Sequence, residues 1–222
     1  MNRLLRTILI ATANQGKVWE IRDLVRDLPV SFLSLADIPD VPDVVEDADS
    51  FEGNALKKAR TIASATSMVT LADDSGLCVD ALGGAPGVFS ARYGGPGLSD
   101  EAKCLRILQE MRDIPDDLRT ARFVCVVALV SPHGESVIVR GACEGRITRT
   151  LVGAQGFGYD PIFFYEPAGL TFAEMDMQAK NAVSHRGEAL RQFAEYLRGV
   201  SAVQTVQRPG RIHPRDSESP EK

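Results

Sequence analysis

Thr7–Leu28 reads TILIATANQGKVWEIRDLVRDL, and two periodicities meet inside it. Thr7 to Ala11 is a short apolar run of strand length. From Lys17 onward, Val18, Ile21, Leu24, Val25 and Leu28 recur at helical spacing, so the small polar stretch between the two is predicted to turn a strand into a helix. The pattern repeats outward. Val30 to Leu35 and Met68 to Ala72 read as further strands and Phe51 to Ala65 as a further helix, and this alternation predicts an α/β protein. Arg122 to Val130 and Ser136 to Gly141, joined through Pro132-His133-Gly134-Glu135, predict a β-hairpin and therefore a mixed sheet. Ser99 is a good N-cap for a helix reaching Met111, with Pro115 beyond its end. Leu190, Phe193, Ala194 and Leu197 form the apolar stripe of a last helix. The chain shows no internal repeat.

Composition narrows the class. A chain of 222 residues with 44% apolar side chains can fill one sizeable core, or two closely joined lobes. The formal net charge of -5 argues against a nucleic-acid polymer as partner, because backbone binding needs a basic surface. Cys78, Cys104, Cys125 and Cys143 stand far apart with no CxxC, so reduced core residues are expected and neither a zinc site nor a disulfide framework. Arg3 and Arg6 precede an apolar run too short for a secretion signal. No stretch approaches the roughly 20 apolar residues of a membrane span. A cytoplasmic protein is expected. From Thr205 the sequence turns polar and Pro-rich, so residues 205–222 are expected to form a disordered tail after a catalytic unit spanning 1–204.

Two places carry candidate chemistry. Asn14-Gln15-Gly16 would lie at a helix N-terminus, where free N–H groups and the positive end of the helix dipole suit phosphate. The spacing does not fit GxxxxGK[ST], because Lys17 is followed by Val18, so a P-loop is excluded. An ordinary strand-turn-helix unit is the competing reading. Leu71–Gly95, LADDSGLCVDALGGAPGVFSARYGG, places Asp73 and Asp74 after an apolar run, with Ser75-Gly76 as the predicted turn. Adjacent acids beyond a strand end suggest a metal site or a general base. An acidic surface turn would use the same residue types.

Gly156-Phe157-Gly158-Tyr159-Asp160-Pro161 and, after a hairpin-like stretch, Lys180 to Gly187 complete a series. The order TANQGK, FEGNALKKA, ADDSGL, GGAPGVFSARYGG, GFGYDPIFF and KNAVSHRG resembles the inosine triphosphate pyrophosphatase family, whose members clear non-canonical purine nucleotides. The similarity runs from about Ile8 to Leu197. It implies a long central mixed sheet flanked by helices, two lobes with the active-site cleft between them, and a homodimer. The implied reaction is Mg²⁺-dependent hydrolysis of XTP, ITP or dITP to the monophosphate and pyrophosphate.

The resemblance also assigns roles. Asp74 would be the general base and metal ligand, supported by Asp73. Thr12, Ala13, Asn14, Gln15, Gly16 and Lys17 would surround the triphosphate, with Ser75 a further substrate contact and Lys180 and Arg186 adding positive charge. Phe157, Gly158, Tyr159 and Asp160 would contact the base, and His185 with Arg186 would read the purine's six-position oxygen. The family often has a metal-site Glu just before the Asn-Ala of its second motif. Here Gly53 takes that position and Glu52 stands one residue earlier, which leaves open whether Glu52 reaches the metal through a non-helical start at Gly53. Alternatives of other kinds are a pyrophosphatase for another modified nucleotide and a non-catalytic nucleotide-binding regulatory protein.

Overall fold

The computed structural model describes residues 7–206. β1 (Thr7–Ile10) leads through a polar turn into α1 (Gln15–Val25) and back to β2 (Ser31–Ser34). Asn14 closes the turn as the α1 N-cap, its side chain accepting the Lys17 N–H at 3.2 Å. α2 (Phe51–Thr66), capped by Ser50, precedes β3 (Thr70–Val79). α3 (Asp100–Glu110), β4 (Thr120–Val130) and β5 (Ser136–Ile147) follow, then β6 (Phe163–Tyr165), β7 (Leu170–Thr171), α4 (Met177–Val183) and α5 (His185–Val206).

The seven strands among the described residues form one sheet in the order β2-β1-β3-β4-β5-β6-β7. β1 is parallel to both of its neighbours, and every pairing from β3 to β7 is antiparallel. The sheet is therefore mixed, as the alternation of elements and the hairpin predict. Ile8, Ile10, Leu71, Cys125 and Val127 pack beneath Ile21 and Val25 of α1 and Leu190, Phe193, Ala194 and Leu197 of α5. On the other face, Leu9, Ala72, Val124 and Val126 meet Ala55, Ala59 and Ile62 of α2. A third cluster joins Leu77, Phe123, Phe163 and Phe172 to Cys104 and Ile107 of α3. All four cysteines are free, and three are buried.

β3 corrects the sequence reading. Asp73, Asp74, Ser75 and Gly76 do not form a turn beyond a strand; they lie inside a strand whose ten residues all pair with β4, Asp74 opposite Val126 and Gly76 opposite Val124. Gly76 is small for a packing reason. A Cβ there would sit 2.4 Å from both the Gly87 carbonyl and Ser90 Oγ, in the short 3₁₀ segment Gly87–Arg92 that crosses the strand. α2 decides the point left open at Gly53. It is helical from Phe51, so Gly53 lies in its first turn and does not delay its start. Thr205 and Val206 belong to α5, and the rest of the expected tail, like the stretch holding Arg3 and Arg6, lies outside the described residues.

Candidate active site

Part of the β3 backbone edge beyond β1 is left open, and the site is built along it. β1 pairs with β3 only through Leu9↔Thr70 and Ile10↔Leu71, ending with the Ala11 N–H on the Leu71 carbonyl at 2.8 Å. Past the gap the edge is covered again. The Leu77 N–H donates to Ser90 Oγ at 2.9 Å and the Val79 N–H to the Ala85 carbonyl at 3.0 Å. Between these closures, Asp74, Ser75 and Gly76 border a cavity of about 430 Å³. Side chains alternate across a strand, so the two acids diverge: Asp73 lies on the α1 and α5 face and Asp74 on the α2 face.

Asp73 is enclosed by cations. Lys17 Nζ is 3.0 Å and Arg186 Nη2 3.2 Å from its Oδ2. Burial alone would raise its pKa, but Lys17, then Arg186 and Lys58, outweigh that and hold the carboxyl far below the usual range. Asp74 has weaker support, from the Asn54 amide at 3.0 Å and the Ser75 N–H at 3.0 Å. Here burial prevails over Lys17 and the Asn54 hydrogen bond, and the pKa is pushed up to about 6. Two adjacent carboxylates thus have opposite characters: a fixed anion and a group able to exchange a proton near neutrality.

An alternating ion chain extends from Asp73 toward the loop at Phe157. Arg186 also pairs with Glu20 of α1, Glu20 with Lys180 at 2.8 Å, and Lys180 with Asp160 at 2.6 Å. Asp160 in turn accepts the Phe157 N–H at 2.9 Å. Lys180 Nζ stands 4.7 Å from the centre of the Phe157 ring, a cation–π distance. His185 is stacked on Phe123 with centroids 4.6 Å apart and planes 10° from parallel. Burial, reinforced by Arg186 and Lys180, holds its pKa well below that of a free imidazole, so it is neutral and one of its ring nitrogens carries a hydrogen.

Thr12, Ala13, Asn14, Lys17, Asp74, Ser75, Phe157, Gly158, Tyr159, Asp160, Lys180, His185 and Arg186 all line this cavity. Gln15 faces a neighbouring groove beside Trp19 and Met177. Gly16 lies under the Phe157 ring, where a Cβ would come within 2.7 Å of Phe157 Cδ1. Several lining residues escaped the sequence reading. Lys58 and its partner Glu46 face the cavity, as do Asp100 and Lys103. Glu20 follows Lys17 by three positions on α1, and Lys58 follows Asn54 by four on α2. Helical same-face spacing could have flagged both. Glu46 stands in the irregular acidic stretch before α2, where no period applies.

Glu52 points elsewhere, 3.4 Å from Arg140 on β5. A Cβ at Gly53 would meet the Ala48 Cβ at 2.8 Å, so the loop carrying Glu46 packs close over that turn. The cavity-facing carboxylates near α2 are Asp74, Glu46 and Asp43. Among the described residues no group of three His, Cys, Asp or Glu side chains could enclose a metal ion. That donor set fits a hard cation that brings water and phosphate oxygens as its remaining ligands, as Mg²⁺ does, and does not fit a closed zinc cage.

A mixed-sheet α/β protein with a cleft lined by cations, an aromatic ring and a titratable carboxylate is in the class built for small polyanions that carry a flat ring. The comparisons agree. Residues 8–196 match the model of the Ham1 family, and the chain belongs to that family. A dITP/XTP pyrophosphatase of Geobacter sulfurreducens is 50% identical over 190 residues, covering 86% of this chain and 96% of its own length. One from Shouchella clausii is 47% identical, with 87% and 97% covered. The HAM1 protein of Coxiella burnetii superposes with a TM-score of 0.80 at 42% identity over 87% of this chain and 98% of its own. The Mycobacterium abscessus nucleoside-triphosphatase, a dITP/XTP pyrophosphatase, gives 0.70 at 45% identity over 84% and 98%.

Proposed function

We propose that this chain hydrolyses non-canonical purine nucleoside triphosphates, dITP, XTP and ITP, to the monophosphate and pyrophosphate, and so sanitises the nucleotide pool. The observation that carries the reading is the placement, on an open strand edge, of a carboxylate with a pKa of about 6 in the same cavity as a helix N-terminus bearing Lys17 and an aromatic loop. The names of the relatives agree with it.

In this reading the triphosphate lies over the α1 N-terminus, where backbone N–H groups and Lys17 face its charge. Water adds across the α–β anhydride, its proton passes to Asp74, and the bond to the pyrophosphate oxygen breaks. Asp74 and Glu46 are the carboxylates that would hold Mg²⁺, whose contribution when bound is to neutralise phosphate charge and make the attacking water more acidic. Asp73 keeps Lys17 and Arg186 in place. The base lies against Phe157, with the neutral His185 and Arg186 facing its six-position oxygen.

The same reading includes a single catalytic domain divided into two lobes by the cleft. It also includes a homodimer, for which exposed side chains such as Trp19, Phe89 and Leu118 supply apolar contact area, and a cytoplasmic location, which free cysteines and a nucleotide substrate suit. No helix among the described residues is long and apolar enough to cross a membrane.

Pyrophosphate release from a panel of nucleoside triphosphates, with Mg²⁺ and with chelator, tests the proposal. Release from ITP, dITP and XTP that chelator abolishes is the expected result. Tight ITP binding without release would instead identify a nucleotide-binding regulator, and turnover confined to another modified nucleotide would move the substrate assignment.

A further inference from the structure

The Phe157 loop is weakest at Gly158. Gly156 and Gly158 both hold positive φ, 76° and 63°, and glycine gives up more conformational freedom on ordering than any other residue. Gly156 is fixed by crowding, since a Cβ there would overlap Asp160 Oδ2. At Gly158 a Cβ would meet nothing within 4 Å, so packing does not hold it. Its two backbone groups are instead both taken by α3. The Gly158 N–H donates to Asp100 Oδ2 at 2.7 Å, and its carbonyl accepts from the Cys104 thiol at 3.4 Å.

The same helix turn reaches the opposite wall. Lys103 Nζ pairs with Asp100 Oδ1 at 2.8 Å and donates to the Ala91 carbonyl at 3.3 Å, in the segment that crosses β3. We propose that Asp100, backed by Lys103, is a positioning residue that clips the base-contacting loop at Gly158 to the 87–92 segment and so sets the fraction of molecules ready to receive the base. The clip rests on the functional reading above for its consequence, but not for its existence. Asp100 need not touch the reacting atoms, so its loss falls on KM and leaves kcat in place. If the competent fraction drops to a tenth, apparent affinity falls about tenfold.

Two measurements on Asp100→Ala and Asp100→Asn test this. Amide hydrogen exchange of the ligand-free full chain should show faster exchange at Phe157 and Gly158 in Asp100→Ala. The Asn variant keeps a carbonyl acceptor for the Gly158 N–H and should restore protection. Steady-state hydrolysis of ITP should show KM raised about tenfold with kcat within about twofold in Asp100→Ala, and rescue in Asp100→Asn. Inhibition by inorganic tripolyphosphate, which has no base, should be unchanged in both. Unchanged exchange at Gly158 would overturn the clip. Faster exchange with an unchanged KM, or an equal loss of tripolyphosphate binding, would overturn its role in receiving the base. A wild-type chain inactive on ITP would overturn the functional reading, while the exchange measurement would still decide the clip.

Discussion

At the residue scale, Asp73 and Asp74 are one peptide bond apart and chemically unlike. Asp74→Asn is expected to lower kcat by about a hundredfold or more with the protein still folded, since it removes the proton acceptor; pyrophosphate release beside a thermal melt checks it. The raised pKa gives the pH dependence its sign. Below about 6 Asp74 in the free enzyme holds its own proton and cannot accept another, so kcat/KM should fall on the acid side through that region. Asp73→Asn should act on stability as well as activity. It takes from the buried Arg186, which keeps only Glu20, the anion it shares with Lys17, a change expected to cost about 3 kcal/mol in denaturant unfolding. Asp73 is depressed on folding, so its contribution is present above the unfolded carboxylate pKa and is lost as pH falls below it. The placement of Asp74 and Lys17 at the cavity was legible in the sequence because each stands beside turn-forming residue types in a recognisable motif. Glu46 was not, because an irregular loop brings it to the cavity through tertiary contacts alone.

At the element scale, β3 and its crossing segment fix the shape of the cleft. Gly76→Ala should force Gly87–Arg92 away from the strand and cost about 1–3 kcal/mol, measured by chemical denaturation. Normal stability in that variant would mean the segment yields more easily than its backbone contacts suggest. Glu52→Gln should shift the Mg²⁺ concentration for half-activity by less than about tenfold, because Glu52 faces Arg140 and Mg²⁺ needs few protein ligands. Helix and strand identities followed from periodicity at Val18 to Leu28 and at Leu190 to Leu197. The end of β3 did not, because Asp-Asp-Ser-Gly carries turn chemistry that ten cross-strand pairs to β4 override. The short β6 and β7 were legible only as a hairpin-like stretch without strand bounds, since strands of two or three residues leave no periodic signal.

For the whole molecule, the ion chain from Asp160 to Lys17 links the loop at Phe157 to the helix N-terminus and makes base and phosphate recognition parts of one buried structure. Hypoxanthine and xanthine offer an acceptor oxygen at position six where adenine offers an amine. A donor on His185 or Arg186 facing that amine would lose its partner, so kcat/KM for ITP or XTP should exceed that for ATP by about a hundredfold or more. Comparable values would remove these two residues from base selection. GTP shares the oxygen, and its rejection must turn on the two-position amine.

The open edge at residues 72–76 has a further consequence, for association between chains. An unpaired strand edge is a template on which another polypeptide can lay its own backbone, and proteins guard such edges with charge. Asp73 and Asp74 stand on opposite faces of this one, both already buried, so a strand added there would lie against a carboxylate on either side. That guard has a weak point in mild acid. Asp74 takes up its proton near pH 6 while Asp73 stays ionised, and self-association through this edge is therefore least opposed in the same pH range where turnover begins to fail.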